Sequence, residues 1–337
     1  MALGTAGGPK WWGREDIDAG ISTAIVVDGA IYMVDYGYGA SRQLVRSSHS
    51  FDNVKAVFIT HMHSDHTVDL PSLLLFGSMD VTGDPIKIIG PGPRGKLPPL
   101  TSRTTKAPDP VNPQDPVPGI EETFRRLVQT YSSDINDRMF DYGSPSPASK
   151  FAPRDIIIPE GVPFDPNNNV APEMVPFTIY SDERVTVTAI LVDHHPTAPA
   201  YAFRFESQYG SIVISGDTGY SENTIRIAQD CDMLFHEVID LEKIELDAQT
   251  EYTEHAHREA VMDHHKRSHT SPENAGKVAQ AANAKALALH HYVPAGSPRS
   301  VWEKAGLTFG GRLVIPEDLD IIEVASDNAE TKHLTKL

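Results

Sequence analysis

The sequence predicts a layered α/β protein. Short β-rich segments recur along the whole chain, helical patterns lie between them, and one strand after another ends in a loop bearing histidine or aspartate. In layered α/β proteins such strand ends gather along one edge, where sites form. The chain has 337 residues, 40% hydrophobic and 22% charged, which is ordinary globular composition. The longest apolar runs, such as Leu73-Leu74-Leu75-Phe76, fall far short of the roughly 20 residues that a membrane span needs.

Taken in order, residues 23–27 and 30–34 are β-rich and flank Asp28-Gly29, the signature of a hairpin. Residues 55–60 form an apolar strand that runs into a histidine cluster, and 86–89 read as a buried strand. Residues 91–118 carry nine prolines in 28 positions, so they form an extended loop: a surface excursion or a wall over a pocket. A helix is predicted over 119–135, because Ile120, Phe124, Leu127, Val128 and Tyr131 share one face. A second proline-rich stretch spans 144–176. Chemistry-bearing segments lie on both sides, so the expectation is a single domain over 1–337 with an insertion at about 91–176.

The second half returns to alternation. Val185, Val187, Ala189 and Leu191 lie on one face of a strand that leads to Asp193-His194-His195. Residues 201–205 and 211–215 are further strands, the latter ending in Gly216-Asp217-Thr218. Ser221 can cap a helix over 222–229, and 233–235 lead to His236-Glu237. Ser271 followed by Pro272 opens a helix to about Asn283, and 285–289 form a strand ending at His290-His291. The chain enters loop sequence almost at once, so either the first strand is very short or a leader precedes residue 1.

Charge and cysteine content narrow the chemistry. The formal net charge is −17, which on average repels nucleic-acid backbones and anionic membranes. The single cysteine, Cys231, excludes an internal disulfide and a cysteine-based zinc knuckle, and its setting beside Asp232 does not suit a thiolate nucleophile. No Gly-x-Ser-x-Gly elbow is present. Histidine, with 15 copies in tight clusters, is where the chemistry is expected.

The strongest cluster is His61-Met62-His63-Ser64-Asp65-His66. Residues 61 and 63 project to one side of an extended backbone, while Asp65 and His66 follow as the chain turns and can face elsewhere. One loop can thus serve two adjacent cations. Imidazole and carboxylate donors without thiolate suit zinc, and also manganese or iron. Two such metals need about three more ligands, and three later strand ends offer them: His194 or His195, Asp217, and His290 or His291.

With its HxHxDH loop, later histidine, Gly-Asp-Thr and C-terminal histidine, the chain resembles the metallo-β-lactamase superfamily. The similarity runs from Leu3-Gly4-Thr5 and Val34-Asp35-Tyr36-Gly37 to His291-Tyr292-Val293-Pro294. Within the superfamily it is similar to the tRNase Z and zinc-dependent arylsulfatase branch, through Ser215-Gly216-Asp217-Thr218 and Phe235-His236-Glu237. The resemblance implies an αββα sandwich with metals at one edge. It implies His61, His63 and His194 on one metal, Asp65, His66 and His291 on the other, and Asp217 bridging. Residue context favours His194 over His195 and His291 over His290, and the other member of each pair would pack or support. Asp35 would orient a ligand imidazole, His236 would act as general acid, and His269 is a further polar candidate. His255, His257, His264 and His265 read as solvated, and Trp11 and Trp12 as core or pocket lining.

The expected cofactors are two divalent ions, zinc first, with Mn2+ or Fe2+ as alternatives. A pair about 3.5–4 Å apart can share a water and lower its pKa toward neutrality, giving a hydroxide that attacks an ester. Asp65, Asp217 and His236 are the expected catalytic residues. In tRNase Z enzymes the interval before the bridging aspartate houses a long tRNA-gripping arm; here His194 and Asp217 are only 23 positions apart. With the negative charge, this favours a small or medium ester (phosphodiester, sulfate or carboxylic ester, including lactones) and makes nucleic acid an unexpected partner. Alternatives are tRNA 3′-processing, β-lactam hydrolysis and a non-catalytic metal-stabilised binding protein. No membrane partner is expected, and a homodimer is an open option. The expected compartment is the cytoplasm, or the periplasm or exterior if a leader was removed.

Overall fold

Asp28 (φ 49°) and Gly29 (φ 77°) both take left-handed backbone, the geometry a two-residue hairpin turn requires, and so pair β2 (Ser22–Val27) with β3 (Ala30–Val34). In the computed structural model, which describes residues 1–11, 18–100, 106–325 and 328–332, this hairpin starts a six-stranded sheet. Its strands stand in chain order: β1 (Ala2–Gly4), β2, β3, β4 (Val54–Phe58), β5 (Ile86–Pro91) and β6 (Phe151–Ile156). The first pairings are antiparallel and those from β3 to β6 are parallel. The stretch predicted as an insertion therefore supplies an edge strand, β6, where Pro153 is tolerated.

The second sheet repeats the plan. Its strands are β7 (Phe177–Ser181), β8 (Val185–Leu191), β9 (Tyr201–Ser207), β10 (Gly210–Ile214), β11 (Met233–Ile239), β12 (Ala286–Val293) and β13 (Arg312–Val314). Antiparallel pairing from β7 to β10 gives way to parallel pairing from β10 to β13. Strands β14 (Ile321–Ala325) and β15 (Asn328–Lys332) form a separate hairpin.

Apolar side chains from both sheets make the central core. Phe58 lies 5.3–5.8 Å, centroid to centroid, from Phe205, Tyr180 and Phe203. Burying an aromatic ring of this size is worth about 1.5–3 kcal/mol, so this cluster is a main bond between the sheets. On the outer face of the first sheet lie α1 (Ala40–Arg46), α2 (Leu70–Leu75) and α3 (Ile120–Thr130), with Ile120 and Phe124 of α3 buried beside Phe151. The predicted helix over 119–135 is two helices, α3 and α4 (Ser132–Tyr142), separated at Tyr131. Later come α5 (Glu222–Ile227), α6 (Leu241–Glu251), α7 (His255–Ser268), α8 (Pro272–Ala281) and α9 (Arg299–Trp302). Ser271 caps α8 by accepting from the Asn274 N–H, and Ala275, Val278 and Ala279 bury its inner face. The architecture is the expected helix–sheet–sheet–helix sandwich.

Sequence reasoning missed α6 and α7. Their buried apolar residues are sparse: Ile244 and Ala248 of α6 and Met262 of α7. No helix among the described residues is long and apolar enough to cross a membrane. Trp12 lies outside the described residues, and Trp11 is 63% exposed against Tyr38 rather than in the core.

Candidate active site

Six strand ends converge on one edge of the sandwich: β3 brings Asp35, β4 the loop 60–66, β8 His194, β10 Asp217, β11 Glu237, and β12 His291. Two of these placements need special backbone. In β12 the register shifts between Glu237 and Val238 of its neighbour, and His291 takes φ 51° at this bulge. Bulges re-aim side chains, and a non-glycine residue in left-handed backbone marks stored strain. Gly216, at φ 60°, sits where a Cβ would meet the Tyr201 carbonyl oxygen at 2.6 Å, so only glycine lets Asp217 reach the edge.

The histidines then fall into two groups. His63 Nδ1 lies 3.0 Å from His61 Nε2 and 3.1 Å from His194 Nε2. His66 Nε2 lies 3.2 Å from His291 Nε2, and Asp65 Oδ2 lies 3.3 Å from that same atom. Asp217 Oδ2 stands between the groups, 3.3 Å from His66 Nε2 and His291 Nε2 and 3.8–3.9 Å from His61 and His194 Nε2. Of the ambiguous pairs, His194 and His291 join these groups, while His195 and His290 do not. His290 is buried behind them with neither ring nitrogen hydrogen-bonded.

The rear nitrogens fix the tautomers. His66 Nδ1 donates to Asp35 Oδ2 at 2.8 Å, His194 Nδ1 to the Ser268 carbonyl at 2.8 Å, and His63 Nε2 to Thr197 Oγ1 at 2.7 Å. His61 Nδ1 meets Thr60 Oγ1 at 3.1 Å, and Thr60 donates to Asp35. Each of these rings therefore turns a lone pair inward. The inward lone pair of His63, 3.0–3.1 Å from those of His61 and His194, cannot satisfy them without a cation.

Charge leads to the same conclusion. The buried carboxylates of Asp65 and Asp217 make ion pairs with histidines alone. Asp217 Oδ1 is buried with no hydrogen-bond partner. Burial and neighbouring imidazoles hold His61 well below the usual histidine range, and burial does the same for His194. Burial opposes protonation of His66 too, yet Asp217, Asp35 and Asp65 pull it well above that range, so the pocket demands positive charge there. Buried charges are paired or coordinate metals, and this donor set fits a divalent cation in each group.

His236 is not where the sequence reading put it. Along β11 successive side chains face opposite ways. The His236 ring is fully buried, its Nδ1 donates to the Glu237 carbonyl at 2.8 Å, and its Nε2 has no hydrogen-bond partner. Glu237 faces the site instead. Its Oε1 accepts from His269 Nδ1 at 3.2 Å, the Thr270 N–H at 3.0 Å and the Thr218 N–H at 3.2 Å. Burial disfavours a charged His269, but Glu237, Asp217 and Asp65 outweigh it and lift the ring to about 9. A general-acid assignment to His236 is thus corrected: it reaches no cavity, whereas His269 does.

The cavity over the two groups holds about 320 Å³. His63, Asp65, Asp217 and His291 form part of its lining, and Ile244, Ala248, Tyr252 and Val261 of the α6–α7 region form an apolar wall. His264 and His265 also line it, half-buried rather than solvated as expected, and burial lowers them to about 4 and about 3. His255 is exposed, and His257 packs on Tyr252. Across the site, Gly8 N–H donates to Asp65 Oδ2 at 2.9 Å, and Gly7 packs on the His291 ring, where a Cβ would sit 2.4 Å from Nδ1.

The metallo-beta-lactamase superfamily model matches residues 17–133. Ribonuclease Z of Mycobacterium sp. (strain KMS) is 27% identical over 314 residues, covering 91% of this chain and 90% of that protein. Human tRNase Z, short form, superposes with a TM-score of 0.60 at 19% identity, covering 96% of this chain and 98% of that one. The metallo-beta-lactamase fold protein YhfI from Bacillus subtilis gives 0.57 at 16% identity, covering 94% and 95%.

The chain carries a metallo-β-lactamase superfamily domain. It is a metal-dependent hydrolase acting on ester bonds, and its similarity runs to the ribonuclease Z branch. This overturns the expectation that nucleic acid is an unlikely partner, because the relatives matched along 91% of the chain are named ribonucleases. The physical error was to let a whole-molecule net charge stand for the field at one cleft.

Proposed function

We propose that this chain is a binuclear-metal phosphodiesterase that cleaves RNA, in the manner of a ribonuclease Z that matures the 3′ side of tRNA. The observation that carries the reading is the length of the similarity to ribonuclease Z, 91% of the chain, which takes in both ligand groups and the Glu237–His269 pair.

His61, His63 and His194 would hold one cation, Asp65, His66 and His291 the other, and Asp217 would bridge them. Two zinc ions bound there would supply Lewis acidity toward the phosphate and a water of lowered pKa. The chain's own residues do the rest. Asp35, Thr60, Ser268 and Thr197 hold the imidazoles in place, and Gly8 holds Asp65. Glu237 keeps the Nδ1–H of His269, which leaves Nε2 to donate a proton to the leaving ribose oxygen. The interval that carries an arm in tRNase Z enzymes is filled here by the β9–β10 turn at residues 208–209. Backbone phosphates would instead meet the last turn of α7, which carries the exposed Lys266 and Arg267.

The test is cleavage of a precursor tRNA with a 3′ extension, run beside bis-p-nitrophenyl phosphate, an aryl sulfate and a lactone, with and without chelator. The reading expects chelator-sensitive cleavage at the 3′ side, with kcat/KM far above that of any small ester. A small ester turned over faster than the RNA would replace it with a small-ester hydrolase.

A further inference from the structure

Within the cavity, one further cluster of metal-competent side chains adjoins the two ligand groups through His269, whose Nδ1 lies 4.0 Å from Asp217 Oδ2. His264 and His265 end α7, and His269 follows it. One ring nitrogen from each lies within 4.8 Å of the other two. The ring centroids stand 5.2 Å (264–265), 5.7 Å (265–269) and 6.2 Å (264–269) apart, so the three rings share a common volume. His265 Nδ1 is buried and has no hydrogen-bond partner. A buried polar atom left so costs about 1–3 kcal/mol, which a bound ligand would recover.

We propose that His264, His265 and His269 form a third divalent-cation site on the cavity wall, and that filling it inhibits the enzyme. Three imidazoles with an open fourth position, His269 giving up its proton on binding, suit Zn2+, Ni2+ or Cu2+ and not Mg2+ or Ca2+. The site is weaker than the other two because its set holds no carboxylate, whereas Asp217 stands against both of the other groups. The inhibitory half rests on the proposed function. Glu237 engages His269 Nδ1, so the nitrogen open to a third cation is Nε2, the one that would protonate the leaving group. Metal binding there takes the Nε2 lone pair and releases its proton to solvent, which removes the acid.

The experiment uses the full chain with two tightly held equivalents retained after dialysis, then equilibrated against rising Zn2+ with metal counted by mass spectrometry. Wild type is expected to take up a third equivalent, and cleavage of precursor tRNA is expected to fall as it does. His265→Ala and His264→Ala should keep the first two equivalents, which also reports an intact fold, lose the third, and need at least tenfold more Zn2+ for half-inhibition. His255→Ala with His257→Ala, on the other end of α7, should leave the third equivalent in place. Wild type saturating at two, a third equivalent surviving in His265→Ala, or its loss in the His255/His257 variant overturns the site. A third equivalent that binds without slowing turnover overturns the inhibitory half. Because metal counting needs no RNA, a third equivalent without any RNA cleavage sinks the proposed function and leaves the site standing.

Discussion

The loop over residues 60–67 and the helical pair over residues 241–268 line the same cavity, but they are held by different means. The loop runs out of a strand buried at all but Lys55, and its rings are pinned through their rear nitrogens to Asp35, Thr60 and Thr197. The helical pair has only four buried residues, Ile244, Ala248, Met262 and Ser268. Rigid elements hold donor atoms to the tolerance a metal needs, while a loosely packed wall can move for a substrate. The comparison assigns chemistry to the loop and the strand ends, and substrate contact to the helices.

Substitutions can break that division. Asp217→Ala should have the largest effect, because it removes the one oxygen shared by both groups. Activity should fall by about 1,000-fold or more, with loss of bound metal by elemental analysis. Glu237→Gln should leave metal content unchanged and lower kcat about 100-fold with little change in KM, since Glu237 belongs to neither ligand group and holds His269. Metal lost in that variant would merge the two functions that the comparison separates. Asp35→Asn should weaken metal binding by about 10–100-fold, measured by competition with a chelator, because His66 loses its orienting carboxylate. The smallest effect is expected on the helical side. Lys266→Ala with Arg267→Ala should raise KM for RNA a few-fold, flatten its salt dependence, and leave kcat on a small phosphodiester unchanged.

The same division explains what the sequence made legible. His61, His63, Asp65 and His66 are fixed by spacing within a single loop, so local geometry announces them. The hairpin at Asp28-Gly29 and the cap at Ser271-Pro272 are local in the same sense, and both appear as expected. His291 needs a bulge with left-handed backbone, which no spacing reveals, and only residue context distinguished it from His290. The general-acid role of His236 came from the family resemblance alone, without the strand alternation that decides which way the ring faces. β11 continues to Ile239, and alternation then puts Glu237, not His236, toward the site. His264 and His265 were hidden because their burial depends on α7 folding against the cavity, and a polar helix with two apolar anchors carries little periodic signal.

The most direct test is a crystal of the metal-replete protein, carrying two equivalents per chain, measured with X-rays at the zinc absorption edge. The account predicts two anomalous peaks roughly 3.5–4 Å apart, one among His61, His63 and His194, one among Asp65, His66 and His291, with Asp217 Oδ2 between them. A single peak, or a pair elsewhere on the molecule, would contradict it.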